Sequence, residues 1–402
     1  MRTKPQATGS SSGYWKEALI GLLEASGNVN VTVASPTRGA SLPAGREPSF
    51  RIPPARRFIS LDDRTRSDLL RTIDHERPDL IHVHGTEHPY GMMAASTSVP
   101  VVVSLQGFLT ECLYPLLGSI PLPQWRSFRT WKNFLRQSDP VALHDRWSRQ
   151  AAVEREIMQT ARFFAGRTAF DYDFVRRFNP TARYFVAHEA LRPVFHSQQW
   201  RLENIRRHTI HATSIGNPLK GFHVVLEAAA ILSKHFPDLR ISVAGALSPR
   251  SLSPVLGDAY HRLLAATIHK LGLEARIDFK GRMSGEAMAD SLCGSHVFCL
   301  ASFMENSSNA LGEAMLLGLP CVVSRDCGGI PSLVQDGCTG LEFRKGDAWS
   351  LAEAISRVWS DDALANNLGE AARRFAADFH DPEKIRQEYL GMYEAVAQNH
   401  AG

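Results

Sequence analysis

Residues 301–343 read ASFMENSSNALGEAMLLGLPCVVSRDCGGIPSLVQDGCTGLEF. The apolar run Val297-Phe298-Cys299-Leu300 before them predicts a buried strand. A polar loop carrying Glu305 follows, and then a helix starting near Ser307 or Ser308. Gly318-Leu319-Pro320 closes that helix, Cys321 to Ser324 forms the next strand, and Gly328-Gly329 turns the chain again. Glu305 and Glu313 stand eight positions apart, the first in the loop and the second inside the helix.

The chemistry of these parts points to an anionic, hydroxyl-rich ligand. A helix N-terminus presents unpaired N–H groups and the positive end of the helix dipole. Asn306, Ser307, Ser308 and Asn309 are good capping residues, and such an end suits a phosphate. Glu305 is placed to accept hydrogen bonds from sugar hydroxyls, and Glu313 to take both hydroxyls of a ribose. A sugar joined to a nucleoside diphosphate satisfies all three requirements. Read without their surroundings, the two glutamates equally describe a helix with a solvated outer face; the Gly-Leu-Pro and Gly-Gly elements argue against that.

The segment resembles the donor-site signature of the retaining glycosyltransferases of family 4, which have the GT-B fold. The residues that carry the resemblance are Glu305, Glu313, Ala314, Met315, Gly318, Pro320, Gly328 and Gly329. It is strong over residues 210–345 and patchier upstream. It implies two doubly wound Rossmann-like α/β domains facing a cleft, with a nucleotide sugar as donor substrate. It also implies transfer with retention at the anomeric carbon, no cofactor and no metal. Cytoplasmic polysaccharide biosynthesis is the setting it implies.

Composition is consistent with this. The chain has 402 residues, enough for two domains, with 44% hydrophobic and 21% charged residues. A net charge of +4 is too mild to argue for nucleic acid. No apolar run is long enough to span a membrane, and the first residues show no secretory signal. The six cysteines form no C-x-x-C pair, which points to free thiols in a reducing cytoplasm rather than to zinc.

The first half, residues 1–200, reads as an acceptor-binding α/β unit. Helices are expected at Tyr14–Ala25, Arg64–Glu76, Ala151–Thr160 and Phe170–Phe178. Strands are expected at Val29–Ala34, Leu80–His84, Val99–Leu105, Phe163–Gly166 and Tyr184–Val186. The loop Gly9-Ser-Ser-Ser-Gly13 has the composition of a ligand-binding turn, with Gly13 at its end. The polar start MRTKPQAT supplies no buried strand before it, so the expectation is a first strand missing from this sequence. His82 and His84 alternate onto one strand face. A core role suits His82; contact with substrate suits His84 beside Gly85. The resemblance places a sugar-touching histidine where this chain has Gln106, which hydrogen-bonds but does not titrate. That substitution is compatible with an acceptor proton passing to the donor's own phosphate oxygen, as retention in this family implies.

HSQQWRLENIRRH, residues 196–208, separates the two patterned halves. Residues 201–380 read as the nucleotide-sugar unit. Lys220 lies between a strand and a helix, where its cation is positioned to meet a leaving diphosphate. The family pattern has an arginine shortly before that lysine; here the stretch is Ser214-Ile215-Gly216-Asn217-Pro218. By resemblance, Gly281-Arg282-Met283 lies against the nucleotide base. Residues 381–402 include a final helix, Pro382 to Gln398, expected to return to the first unit.

PQWRSFRTWKNFLR, residues 123–136, interleaves Trp125, Phe128, Trp131 and Phe134 with four basic residues. It suits either a peripheral membrane contact or a lid over a glycan or lipid-linked acceptor. The rival functions are a non-catalytic nucleotide-sugar binder, favoured by the absent arginine, by Gln106 and by the absent first strand, and a nucleotide-sugar epimerase of the same fold.

Overall fold

The computed structural model describes residues 14–36, 50–52, 60–135 and 140–398. The Gly9–Gly13 loop, and with it Gly13, lies outside the described residues, as does the expected missing strand. Twelve strands are named here in chain order. They are β1 (Ala34–Pro36), β2 (Phe50–Ile52), β3 (Ile81–His84), β4 (Val101–Ser104), β5 (Phe163–Gly166) and β6 (Arg183–Val186). The second half adds β7 (Thr209–Ala212), β8 (Arg240–Val243), β9 (Ile277–Phe279), β10 (Val297–Leu300), β11 (Cys321–Ser324) and β12 (Leu341–Phe343).

The strands form three sheets among the described residues: β1-β2, β3-β4-β5-β6, and β12-β11-β10-β7-β8-β9. Every ladder is parallel. β4, β5, β7, β10 and β11 are buried along their whole length; in all but β7, which carries Thr209 and His211, largely apolar sequences suit strands whose two faces are both covered by helices. The strand expected over Val29–Ala34 is corrected: its ladder begins only at Ala34, where Phe50 faces it. The helix expected to continue through Ala151–Thr160 spans Pro140–Thr160, and proline is tolerated at a helix start.

In the six-stranded sheet the chain runs outward from β7 through β8 to β9, then returns to the other side of β7 as β10 and continues to β11 and β12. The order therefore reverses between β7 and β10. Crevices at such a reversal, beyond the carboxyl ends of the strands, are where doubly wound sheets take ligands.

The segment between the two sheets is not a loose linker. Phe195 and Trp200 belong to the core of the second unit, with Trp200 donating from its backbone to Leu317 O (2.7 Å) and from Nε1 to Ser295 O (2.8 Å). The last helix, Pro382–Gln398, packs on the first unit. Its Ile385, Tyr389, Met392 and Val396 share a core with Leu19, Leu23, Val102 and Phe163.

The basic aromatic stretch breaks into two short helices, Leu122–Ser127 and Trp131–Leu135. Trp125 is buried and stacks on Tyr260 of the second unit, with centroids 6.2 Å apart, and Phe128 packs half-buried against the same core. Neither is available to a membrane, because one face of this segment seals the junction between the units. Trp131 stays exposed. The side chain of Phe134, and Arg136 altogether, lie outside the described residues.

Candidate donor and acceptor site

Lys220 follows β7 and Glu305 follows β10, the two strands that flank the reversal. Lys220 Nζ donates to Glu305 Oε1 at 2.6 Å, and Ser302 Oγ donates to the same oxygen at 2.6 Å. Burial works against the lysine's charge; Glu305 outweighs it and raises the lysine's pKa. Gly221 makes the pairing possible. It sits at φ 68°, and a Cβ there would lie 1.9 Å from Ala301 O, so only glycine lets the loop after β7 press against the loop after β10.

The Gly328-Gly329 turn acts from the other side. A Cβ on Gly328 would lie 2.1 Å from Glu305 O, and one on Gly329 1.8 Å from Asn306 O. Gly329 N donates to Glu305 O at 3.0 Å, so the turn clamps the backbone that carries the glutamate.

Ser308 caps the helix Asn309–Leu317, its hydroxyl accepting from Leu311 N. Ser307 is half-buried beside it. Among the described residues the buried Oδ1 atoms of Asn306 and Asn309 meet no hydrogen-bond partner. Asn306 Nδ2 donates across the units to Leu105 O at 3.2 Å, next to Gln106. Arg167 Nη2 donates to the same carbonyl at 3.0 Å.

Glu313 lies inside the helix and is buried. Arg192 holds it, with Nε at 2.9 Å and Nη2 at 2.7 Å from Oε1. Burial raises its pKa to about 7, and Arg192 pulls in the opposite direction. The contact with Arg192 was absent from the sequence reading. No periodicity signals it, because the partners are 121 residues apart. Gly281-Arg282-Met283 turns beyond the end of β9, fixed by the backbone exchange between Gly245 and Gly281 at 2.8 and 3.1 Å.

On the first unit, His84 ends β3 and Gln106 follows β4, so both stand at carboxyl strand ends. His82 is bonded on both ring nitrogens, to Tyr393 Oη at 2.8 Å and Ser104 Oγ at 2.6 Å, and burial lowers its pKa to about 3. His84 stacks on it at 4.1 Å and is held neutral, first by burial and then by the field of His82. Sequence reasoning also passed over Glu87. Its carboxylate lies over Gly85 and Gly107, where added Cβ atoms would meet it at 2.2 and 3.3 Å. Burial raises its pKa. Its signal was a lone acid in the loop just after a strand end, Gly85-Thr86-Glu87.

Among the described residues no three His, Cys, Asp or Glu side chains converge to hold a metal ion, and no helix is long and apolar enough to cross a membrane. All six cysteines are free thiols.

Comparison with known proteins gives a consistent answer for both halves. Residues 210–375 match the family described as glycosyl transferases group 1, and residues 18–162 match glycosyltransferase family 4. Among curated relatives, the chain is 33% identical over 132 residues to the N-acetyl-alpha-D-glucosaminyl L-malate synthase of Bacillus anthracis, covering 33% of this chain and 34% of that protein. It is 31% identical over 162 residues to the D-inositol 3-phosphate glycosyltransferase of Corynebacterium aurimucosum, covering 40% of this chain and 37% of that one. The chain thus spans little more than a third of the length of these two relatives. Among solved structures, sucrose-phosphate synthase from Thermosynechococcus elongatus superposes with a TM-score of 0.70 at 17% identity, covering 98% of this chain and 96% of that one. Anabaena HepE, solved with UDP and glucose, gives a TM-score of 0.62 at 17% identity, covering 83% and 82%. These likenesses show the fold. With one family matching each half in order, and two doubly wound units between which the matched loops meet, the chain belongs to the family 4, group 1 glycosyltransferases of the GT-B fold.

Proposed function

We propose that the chain moves a sugar from a nucleoside diphosphate sugar to a glycan or lipid-linked acceptor, with retention at the anomeric carbon and without a metal. The observation that carries this is the Lys220–Glu305 pair, 2.6 Å apart across the reversal point of the six-stranded sheet. An ammonium has three donors; one serves Glu305, and two remain for phosphate oxygens of the leaving diphosphate. The helix end at Asn306 to Asn309, with two orphaned amide oxygens, offers backbone N–H groups to that diphosphate and side chains to the sugar. Glu305 accepts from sugar hydroxyls, Glu313 faces the ribose, and the Gly281–Met283 turn lies against the base. Loss of the family's arginine leaves Lys220 and the helix end to carry the diphosphate charge.

The acceptor enters from the first unit, against Gln106, His84 and the loop ending at Gly13. Gln106 does not titrate, and burial lowers the pKa of His84 so far that it is a weak proton acceptor; the acceptor proton therefore goes to the departing phosphate oxygen of the donor. HepE, which shares the fold and was solved with UDP and glucose, supports a nucleotide-sugar partner. A cytoplasmic location, peripheral at the inner face of a membrane, suits a lipid-linked acceptor.

The test is a thermal-shift screen of nucleotide sugars, followed by transfer assays with the stabilising donor and glycan acceptors in EDTA, with products read by NMR. The expected product has the donor's anomeric configuration. Inversion, or activity that appears only when magnesium or manganese is restored, overturns the mechanism. A changed sugar on the free nucleotide identifies an epimerase, and stabilisation without turnover identifies a binding protein.

A further inference from the structure

The half of the basic aromatic stretch that does not enter the core joins a loop of the other unit. Trp131 and Leu135 lie one turn apart on their short helix and are 58% and 64% exposed. Lys132 N donates to Val255 O at 2.9 Å and Thr130 Oγ1 to Gly257 O at 3.2 Å, which brings the second unit's Val255 and Leu256 beside them. These are 52% and 56% exposed. A third cross-unit bond, Arg262 Nη1 to Phe128 O at 2.8 Å, holds the same junction.

The Val255-Leu256 turn is preformed. Ser253 Oγ accepts from both of their N–H groups, at 3.3 and 3.1 Å, and Ser253 O accepts from Gly257 N at 2.8 Å. Two branched apolar side chains are thereby held out in water by a fixed backbone. Exposed apolar side chains that two units bring to one junction in this way mark an interaction site.

Charge identifies the occupant. Residues 121–135 and 248–257 contain Arg126, Arg129, Lys132 and Arg250 and no aspartate or glutamate. Asp258, which follows them, is exposed, and its Oδ1 accepts from His261 N to cap the helix Ala259–Leu271. A second copy of the chain docking here by two-fold symmetry would set like charges against each other. An anionic lipid surface receives both the apolar side chains and the cations.

We infer that an anionic membrane surface docks on a composite face, built by Trp131 and Leu135 of the first unit together with Val255 and Leu256 of the second. Both units contribute, so the membrane grips the molecule across its junction. This deepens the peripheral location proposed above and rests on that reading, while flotation is measured independently of sugar transfer.

The experiment is flotation of the full chain with vesicles of phosphatidylglycerol in phosphatidylcholine, against phosphatidylcholine alone. The expected result is flotation with the anionic vesicles only, weakened by salt. The pairs Trp131→Ser with Leu135→Ser, and Val255→Ser with Leu256→Ser, should each lower vesicle affinity on the order of tenfold or more. Arg126→Glu with Arg250→Glu should do the same; this exposed pair decides the matter if an apolar pair fails to fold. No flotation of the unmodified chain overturns the inference. So does unchanged flotation of the Val255/Leu256 variant, or a dimer in sedimentation that the Trp131/Leu135 variant dissociates while vesicles stay unbound.

Discussion

Replacing Lys220 with methionine keeps an unbranched side chain one atom shorter and removes its charge. The lysine side chain is 33% exposed and that of Glu305 10%, so the pair lies between a surface bridge and a buried one. Surface pairs contribute about 0–1 kcal/mol, and breaking a buried pair costs about 3–5 kcal/mol. A charge-assisted hydrogen bond in this setting contributes about 1.5–3 kcal/mol. Ser302 Oγ, at 2.6 Å from the same oxygen, remains to solvate the abandoned carboxylate. Lys220→Met should therefore lower the melting temperature of the second unit by about 3–12 °C. Its catalytic cost is separate. Loss of one positioned donor to a developing anion costs about 2.7–4 kcal/mol, or roughly a hundred- to a thousandfold in kcat. The assay pairs calorimetric melting with steady-state transfer for Lys220→Met, Glu305→Gln and the double variant. The double variant should recover stability, because no lone carboxylate is left, and should recover no activity. If Lys220→Met melts early but keeps kcat within about threefold of the parent, the lysine is only a counter-ion for Glu305 and the leaving-group role is refuted.

Glu313 gives a pH signature. Its pKa in the folded state, about 7 against an ordinary 4.5, means that the folded protein holds a proton the unfolded chain has released. Stability from this group is fully present below the ordinary value and falls as pH rises through about 7, by up to roughly 3 kcal/mol. Glu313→Gln should flatten that slope in urea titrations across the window, and an unchanged slope would clear Glu313 of responsibility. Glu313→Ala should weaken nucleoside diphosphate binding by about 1.5–3 kcal/mol in calorimetric titration, and equal affinity in a folded variant would remove it from the site. Gly329→Ala places a methyl group 1.8 Å from Asn306 O, so the loop bearing Glu305 must shift. The expected loss is about 1–3 kcal/mol of stability with weaker donor binding; a variant that melts and binds like the parent would show that the turn does not set the loop.

What the sequence discloses and what it withholds divide along sequence distance. The strand–loop–helix–strand unit around Glu305 is legible because its periodicity and glycines are local, and the structure keeps Cys321–Ser324 and Pro382–Gln398 as read. Lys220 and Glu305 are legible as members of one site because each follows a strand end, though not as a bonded pair. Arg192 on Glu313 is not legible, since nothing near Leu191-Arg192-Pro193 refers to a helix 121 residues away. Nor does an aromatic pattern say which core receives it. Trp125 and Trp131 look alike in sequence, yet one is buried against Tyr260 and the other stays more than half exposed.

The helix that returns at Pro382–Gln398 has a consequence for how the molecule is made. Leu19, Val102 and Phe163 leave the ribosome before the second unit, while their partners Ile385, Tyr389 and Val396 leave after it. The first sheet must wait for the whole second unit with one greasy side uncovered, at the stage when nascent proteins are most prone to stick to one another. The second unit, whose core is drawn mostly from residues 195–376, is free to finish before the first. Translation order and completion order are thus reversed, and a fragment cut between the two sheets would lack the cover its own interior needs.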